Sequence, residues 1–152
     1  MFVQFRLFRP EYLKDVINIT KNNLTERYND FIFLDIQRSW PAAFILGMAD
    51  NTVAGFICGG ITGGREARIL MIAVEKKYRR MGIGSGLITS FEKEAEKIKI
   101  NKVKLEVRVD NTEAIEFYKS HGYAIVNLLP SYYNDGFDAY SMEKMLSRSD
   151  FL

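Results

Sequence analysis

Among 152 residues the chain has one cysteine, one histidine, one tryptophan and three prolines. Cys58, being alone, forms no intramolecular disulfide, and one His with one Cys would leave a zinc site dependent on carboxylates for most of its ligands. No structural metal is expected. No apolar run approaches the roughly 18 residues that a membrane span needs. Arg6 and Arg9 interrupt the apolar positions of residues 1–10, unlike a secretory signal, so the reduced cytoplasm is the expected compartment. Neither sign of charge dominates: 21 Lys+Arg against 19 Asp+Glu leaves +2, too little for a global field that draws nucleic acid. What is present is ordinary globular material, 47% hydrophobic and 26% charged, in a length that suits one domain over residues 1–152.

Apolar periodicity divides this length into alternating elements. Residues 2–8 read as a strand, and Pro10 suits the first turn of a helix over 11–22, with Leu13, Val16 and Ile17 on one face. A second helix is expected over 30–38, leaving Asn23-Leu24-Thr25-Glu26-Arg27-Tyr28 as a connector. Residues 43–49, 53–61 and 67–74 are β-branched and aromatic, broken at Asp50-Asn51 and Gly63-Gly64, and predict an antiparallel meander. The period then changes: Ile83, Leu87, Ile88, Phe91, Ala95 and Ile98 form one helical stripe opposite Glu92, Lys93, Glu96 and Lys97. In 102–109, Val103, Leu105, Val107 and Val109 alternate with Lys104, Glu106 and Arg108, so Glu106 points away from the apolar face of a strand. A short helix over 113–120 should end at Gly122, with His121 as its C-terminal residue and no catalytic part, and strands near 123–129 and 138–145 follow. Trp40 and Met71 read as core.

The stretch from Val74 to Ser85 is a basic loop that enters a helix through Gly82 and Gly84. Unpaired N–H groups and the positive end of the helix dipole make such an entry an anion site, with pyrophosphate as the natural ligand. The pattern is not a P-loop, because Gly64 is followed by Arg65-Glu66, nor a dinucleotide fingerprint, because Leu87 stands where a third glycine belongs. What remains is R-x-x-G-x-G at Arg79, Gly82 and Gly84, after the strand Leu70-Met71-Ile72-Ala73-Val74, and this resembles the GNAT family of acetyl-CoA-dependent N-acetyltransferases. The resemblance implies an α/β (α+β) fold, a mixed, mostly antiparallel sheet of about seven strands flanked by about four helices. By the same resemblance Ile72, Ala73 and Val74 hold the pantetheine arm through their backbone, and Arg79, Arg80, Met81, Gly82, Ile83, Gly84 and Ser85 cradle the pyrophosphate. Asn111 bonds the cofactor arm, or else simply shapes its turn. Of the four basic residues here, Arg79 and Arg80 rather than Lys76 and Lys77 are placed to matter.

A second block, Leu105-Glu106-Val107-Arg108 with Asn111, Ala114-Ile115 and Tyr118, resembles the protein N-terminal acetyltransferases, the branch that includes archaeal Ard1-like and ribosomal-protein-alanine enzymes. The tail Tyr132-Tyr133-Asn134-Asp135-Gly136-Phe137 and the connector from Asn23 to Tyr28 resemble the same branch, with Phe137 in place of an acidic residue and Thr25 in place of a proline. The resemblance implies acetyl-CoA as donor and polypeptide N-termini as acceptors, nascent chains at the ribosome among them, by a monomer or weak dimer. The alternatives are a GNAT acting on lysine side chains or a small amine, and a non-catalytic acyl-CoA-binding module.

The chemistry sets its own requirements. An α-amine, with an unperturbed pKa of about 7.7–8.0, must lose a proton before it attacks a thioester directly, and the departing thiolate must gain one. Glu106 is the candidate base, with Glu26 as rival, and the plainer role for Glu106 is a cross-strand ion pair with Lys104, Arg108 or a neighbouring strand. Tyr118 is the candidate acid, its plainer role a packed core aromatic. An N–H near Val74 would polarise the thioester carbonyl. Leu24, Glu26, Tyr28, Tyr132 and Tyr133 are the candidate walls of a peptide slot.

Overall fold

The computed structural model describes residues 1–24 and 29–146. Seven strands and four α-helices lie among them: β1 (Val3–Leu7), α1 (Leu13–Asn23), α2 (Ile32–Ser39), β2 (Ile45–Ala49), β3 (Thr52–Gly63), β4 (Glu66–Val74), α3 (Ile83–Lys97), β5 (Lys102–Arg108), α4 (Thr112–Ser120), β6 (Ala124–Leu129) and β7 (Ala139–Met145). The strands form one sheet in the order β1-β2-β3-β4-β5-β7-β6. Every pairing is antiparallel except β4 with β5, where α3 supplies the crossover that a parallel pair requires.

Alternation along the strands builds two cores, one on each face. Val103, Leu105 and Val107 of β5 join Ile83, Leu87 and Phe91 of α3 and Tyr118 of α4. Leu46 and Phe56 join Val16 of α1 and Phe33 of α2 on the other side. Pro10 occupies the first position of a 3-10 turn that leads into α1, and Pro41 opens a similar turn that delays β2 until Ile45. Ile98 departs from its expected place: it caps α3, is exposed, and leaves the buried position to Ile100. Val109 lies beyond the last ladder residue of β5.

β4 contains an irregularity that its apolar run conceals. Cys58 of β3 stands opposite Met71 but Gly59 stands opposite Ile69, so Leu70 is an extra residue, a β-bulge. The bulge reverses which residues face which core. Ala67 and Ile69 pack with α3, whereas Met71 and Ala73 pack with α1 and α2. Gly59 lies at this junction, and a Cβ there would overlap the backbone carbonyl of Arg68 and press on the Phe91 ring. Gly59→Ala is therefore expected to destabilise the protein by about 2–3 kcal/mol, the scale of overpacking into rigid neighbours. Urea unfolding measures it, and an unchanged midpoint would show that β3 has slack at this point.

Candidate active site

β4 and β5 pair only through Glu66–Arg68 against Lys102–Lys104 and then diverge. The gap opens into a cleft of about 1040 Å³ lined from both sides, by Leu70 to Val74, by Arg79, Arg80 and Gly82 to Ser85, by Glu106 to Arg108, and by Tyr118. Glu75 N donates to Ala54 O across the ladder, which makes Gly55 and Val74 a wide, non-bonded pair. By the alternation of antiparallel ladders, the N–H and C=O groups of Val74 and Ile72 turn away from β3 and into the gap, while those of Ala73 are taken by Phe56. Of the three backbone positions expected to hold an extended arm, two therefore face the gap, although the Val74 carbonyl already accepts from Arg79 Nε.

At the mouth, Gly82 caps α3 with φ +80°, Arg80 is also left-handed at φ +66°, and no side chain caps the helix. The first intrahelical bond runs from Gly86 N to Gly82 O, so the N–H groups of Ile83, Gly84 and Ser85 point out of the helix end with no partner among the described residues. A left-handed residue beside a helix N-terminus is an anion-binding arrangement. Arg79 turns inward: Nε donates to Val74 O and Nη2 to Asn23 Oδ1, each at 3.0 Å, tying the loop to the end of α1. Asn23 also donates to Glu75 at 2.6 Å, so one amide joins the connector to both ends of the loop's basic turn. Lys76, set aside on sequence grounds, lines the cleft, whereas Met81 is exposed and does not.

Glu106 and Tyr118 enter the cleft from opposite faces of the sheet. Glu106 lies on the α1/α2 side, its Oε1 2.6 Å from both Nε and Nη2 of Arg68. The ion pair expected as its plainer role thus exists, with β4 rather than with Lys104 or Arg108. Tyr118 lies among the α3-side core, with its ring edge-on to Phe117 and Tyr123. Its hydroxyl makes no hydrogen bond among the described residues, and burial pushes the phenol well above its ordinary range, so it keeps its proton. Asn111 shapes the turn as the helix cap of α4, accepting from Ala114 N at 3.1 Å, and it also lines the cleft. His121 is the C-terminal cap of α4, as expected, but its Nε2 also meets Ser85 Oγ at 3.0 Å.

Leu24 and Tyr133 line the cleft, and Tyr132 stands beside it with its hydroxyl accepting from Arg68 Nη2 at 2.9 Å. Glu26 and Tyr28, with Thr25, lie outside the described residues. Arg108 holds the Tyr132–Phe137 loop: Nη2 pairs with Asp135 at 2.9 Å, and the guanidinium lies 5.1 Å from the Tyr133 ring centre and 4.3 Å from that of Phe137. The Arg108 guanidinium in turn holds the Asp135 carboxyl below its ordinary range. Sequence reasoning gave Arg68 no role and Arg108 only that of a possible ion-pair partner of Glu106; the alternation of β5 shows Arg108 and Glu106 on one face, whereas Arg68 stands two residues before the bulge. Among the described residues no group of His, Cys, Asp and Glu could hold a metal ion, and no helix is long and apolar enough to cross a membrane. Cys58 is buried and its thiol is pushed far up by desolvation, which removes it as a nucleophile.

The sheet is thus parted between two parallel strands, with uncapped amides at one end of the gap and a carboxylate and a phenol entering it from opposite faces, an arrangement open to an extended ligand with an anionic end. The model of the acetyltransferase (GNAT) family matches residues 7–123. An N-alpha-acetyltransferase of Sulfurisphaera tokodaii is 36% identical, over 88% of this chain and 89% of that protein. The structure of Ard1 from Thermoplasma volcanium matches with a TM-score of 0.94 at 39% identity, over 97% of this chain and all of that one, and Naa20 of Chaetomium thermophilum, in complex with a bisubstrate analogue, matches at 0.87 and 30%, over 97% and 89%. The chain belongs to the GNAT acetyltransferase family, and it is an acyltransferase whose donor is acetyl-CoA. Free amides at Ile83–Ser85 suit a pyrophosphate, and the open edge at Ile72 and Val74 suits an amide-bearing arm, so the residues present fit that donor.

Proposed function

We propose that this enzyme acetylates the α-amino group of polypeptides in the cytoplasm, nascent chains included, acting as a monomer or weak dimer. The observation that carries this reading is the entry of Glu106 and Tyr118 into one cleft from opposite faces of the sheet, which gives the amine and the leaving sulfur separate proton partners. Acetyl-CoA supplies the activated acyl group. The edge of β4 at Ile72 and Val74 holds the pantetheine arm, and the turn from Arg80 to Ser85 takes the pyrophosphate, chiefly through backbone amides. Glu106 accepts the amine proton, Tyr118 returns one to the thiolate, and N–H groups on the β4 edge, Val74's among them, steady charge on the carbonyl oxygen. Leu24, Tyr132 and Tyr133 wall the peptide's approach, and an N-terminal acceptor agrees with the names of the relatives, an N-alpha-acetyltransferase and an N-terminal acetyltransferase catalytic subunit.

The acceptor's own chemistry favours an N-terminus. At pH 7.5 about a third of α-amines are neutral against roughly one in 10³ lysine ε-amines, so the same carboxylate has far less to remove. Mass spectrometry comparing a free peptide, the same peptide with a blocked N-terminus but an internal lysine, and spermidine should show the free peptide acetylated fastest. Faster reaction of the blocked peptide or of spermidine would replace the N-terminal reading while leaving the acetyl-CoA site intact.

A further inference from the structure

We propose that Arg68 is a positioning residue for this reaction, one side chain that fixes the carboxylate base and sets the peptide-facing loop against it. The proposal rests on the reading of Glu106 as base. Arg68 stands on the last rung at which β4 and β5 pair, opposite Lys104, and Glu106 follows two residues later on the same face, where the strands begin to part. At that apex both Nε and Nη2 reach Glu106 Oε1 at 2.6 Å, while Nη2 also donates to Tyr132 Oη at 2.9 Å.

Two consequences follow from this geometry. Both contacts fall on one carboxylate oxygen, and Oε2 takes no hydrogen bond from any described residue, so the carboxylate is oriented yet keeps an oxygen for a substrate proton. Tyr132 meets Tyr133 edge-to-face with ring centres 5.0 Å apart, so the hydroxyl that Arg68 holds also orients the ring that lines the cleft. The other cations on that face are engaged elsewhere: Lys104 lies 3.6 Å from Glu66, and Arg108 pairs with Asp110 and Asp135. A guanidinium can serve both partners because its donors are fixed in a planar fork; a lysine ammonium is a single point charge.

Steady-state kinetics with saturating acetyl-CoA and varied peptide test the proposal, each variant being checked for fold by circular dichroism and for acetyl-CoA affinity by calorimetry. Arg68→Gln should lower kcat by about 10–100-fold and raise the peptide KM several-fold, with acetyl-CoA affinity kept. Arg68→Lys should recover most of kcat, since one charge still reaches Oε1, but not KM. Tyr132→Phe should raise KM by the same factor as Arg68→Gln, and the double variant should raise it no further, the signature of a shared contact. If Arg68→Gln leaves kcat and KM unchanged while Glu106→Gln stops turnover, Arg68 has no positioning role and the base stands. If the two KM effects multiply, the link to the loop is wrong. If Glu106→Gln itself keeps the full rate, the base assignment falls and this proposal with it.

Discussion

Glu106→Gln is expected to lower kcat by roughly 10²–10⁴-fold while acetyl-CoA binds as before, because the amide keeps the shape of the carboxylate but accepts no proton. Arg68 would lose its ionic partner in this variant, so the fold should be checked alongside the rate. Tyr118→Phe is expected to cost a similar factor. Burial pushes its phenol above the ordinary range and so favours the protonated form, and phenylalanine preserves the packing against Phe117 and Tyr123 while removing that proton. Stopped turnover with intact donor binding is the combined outcome that supports the pair. Full activity of Glu106→Gln together with an inactive Glu26→Gln would move the base to the connector.

The second large effect should come from the helix entry. A Cβ at Gly84 would meet the Phe117 ring at 3.2 Å and Val74 Cγ2 at 4.0 Å, so a side chain there grows into the mouth between α3 and α4. Gly84→Leu should weaken acetyl-CoA binding by about 10²–10³-fold, or roughly 3–4 kcal/mol, because the contacts displaced are charge-assisted hydrogen bonds to phosphate. Calorimetry reads this directly. An unchanged affinity in a folded variant would remove the pyrophosphate assignment.

Elements with a clear period were legible in the sequence, and so was the meander, because Asp50-Asn51 and Gly63-Gly64 mark turns that local chemistry dictates. The helix entry was legible for the same reason: Gly82 has a positive φ that glycine adopts without strain. The bulge at Leu70 was not, since Ile69-Leu70-Met71-Ile72 is apolar at every position and a change of phase leaves no mark on such a run, even though Leu70 itself is exposed. Without the bulge in view, the side of the sheet on which Arg68 emerges could not be fixed, and the partner of Glu106 remained one of several. Ile98 misled because a stripe at helical spacing continues in sequence past the point where α3 ends. β6 shows another limit: Ile125, Val126 and Leu128 are apolar yet exposed, because β7 inserts between β5 and β6 and leaves β6 at the edge of the sheet.

Among the described residues the two half-sheets, of four strands and three, are stitched at the level of the backbone by only three rungs between β4 and β5 and by the Asn101 N–H to Arg65 O bond at their base. A donor seated in the gap would supply the missing seam, so the enzyme's resistance to unfolding should follow the concentration of its own substrate. At a free acetyl-CoA concentration 100 times its Kd the folded state gains about 2.7 kcal/mol, roughly a hundredfold in the ratio of closed to opened molecules. A cell that runs short of acetyl-CoA would therefore hold this enzyme in a looser form, more open to proteolysis, and catalytic capacity would fall together with the metabolite it consumes.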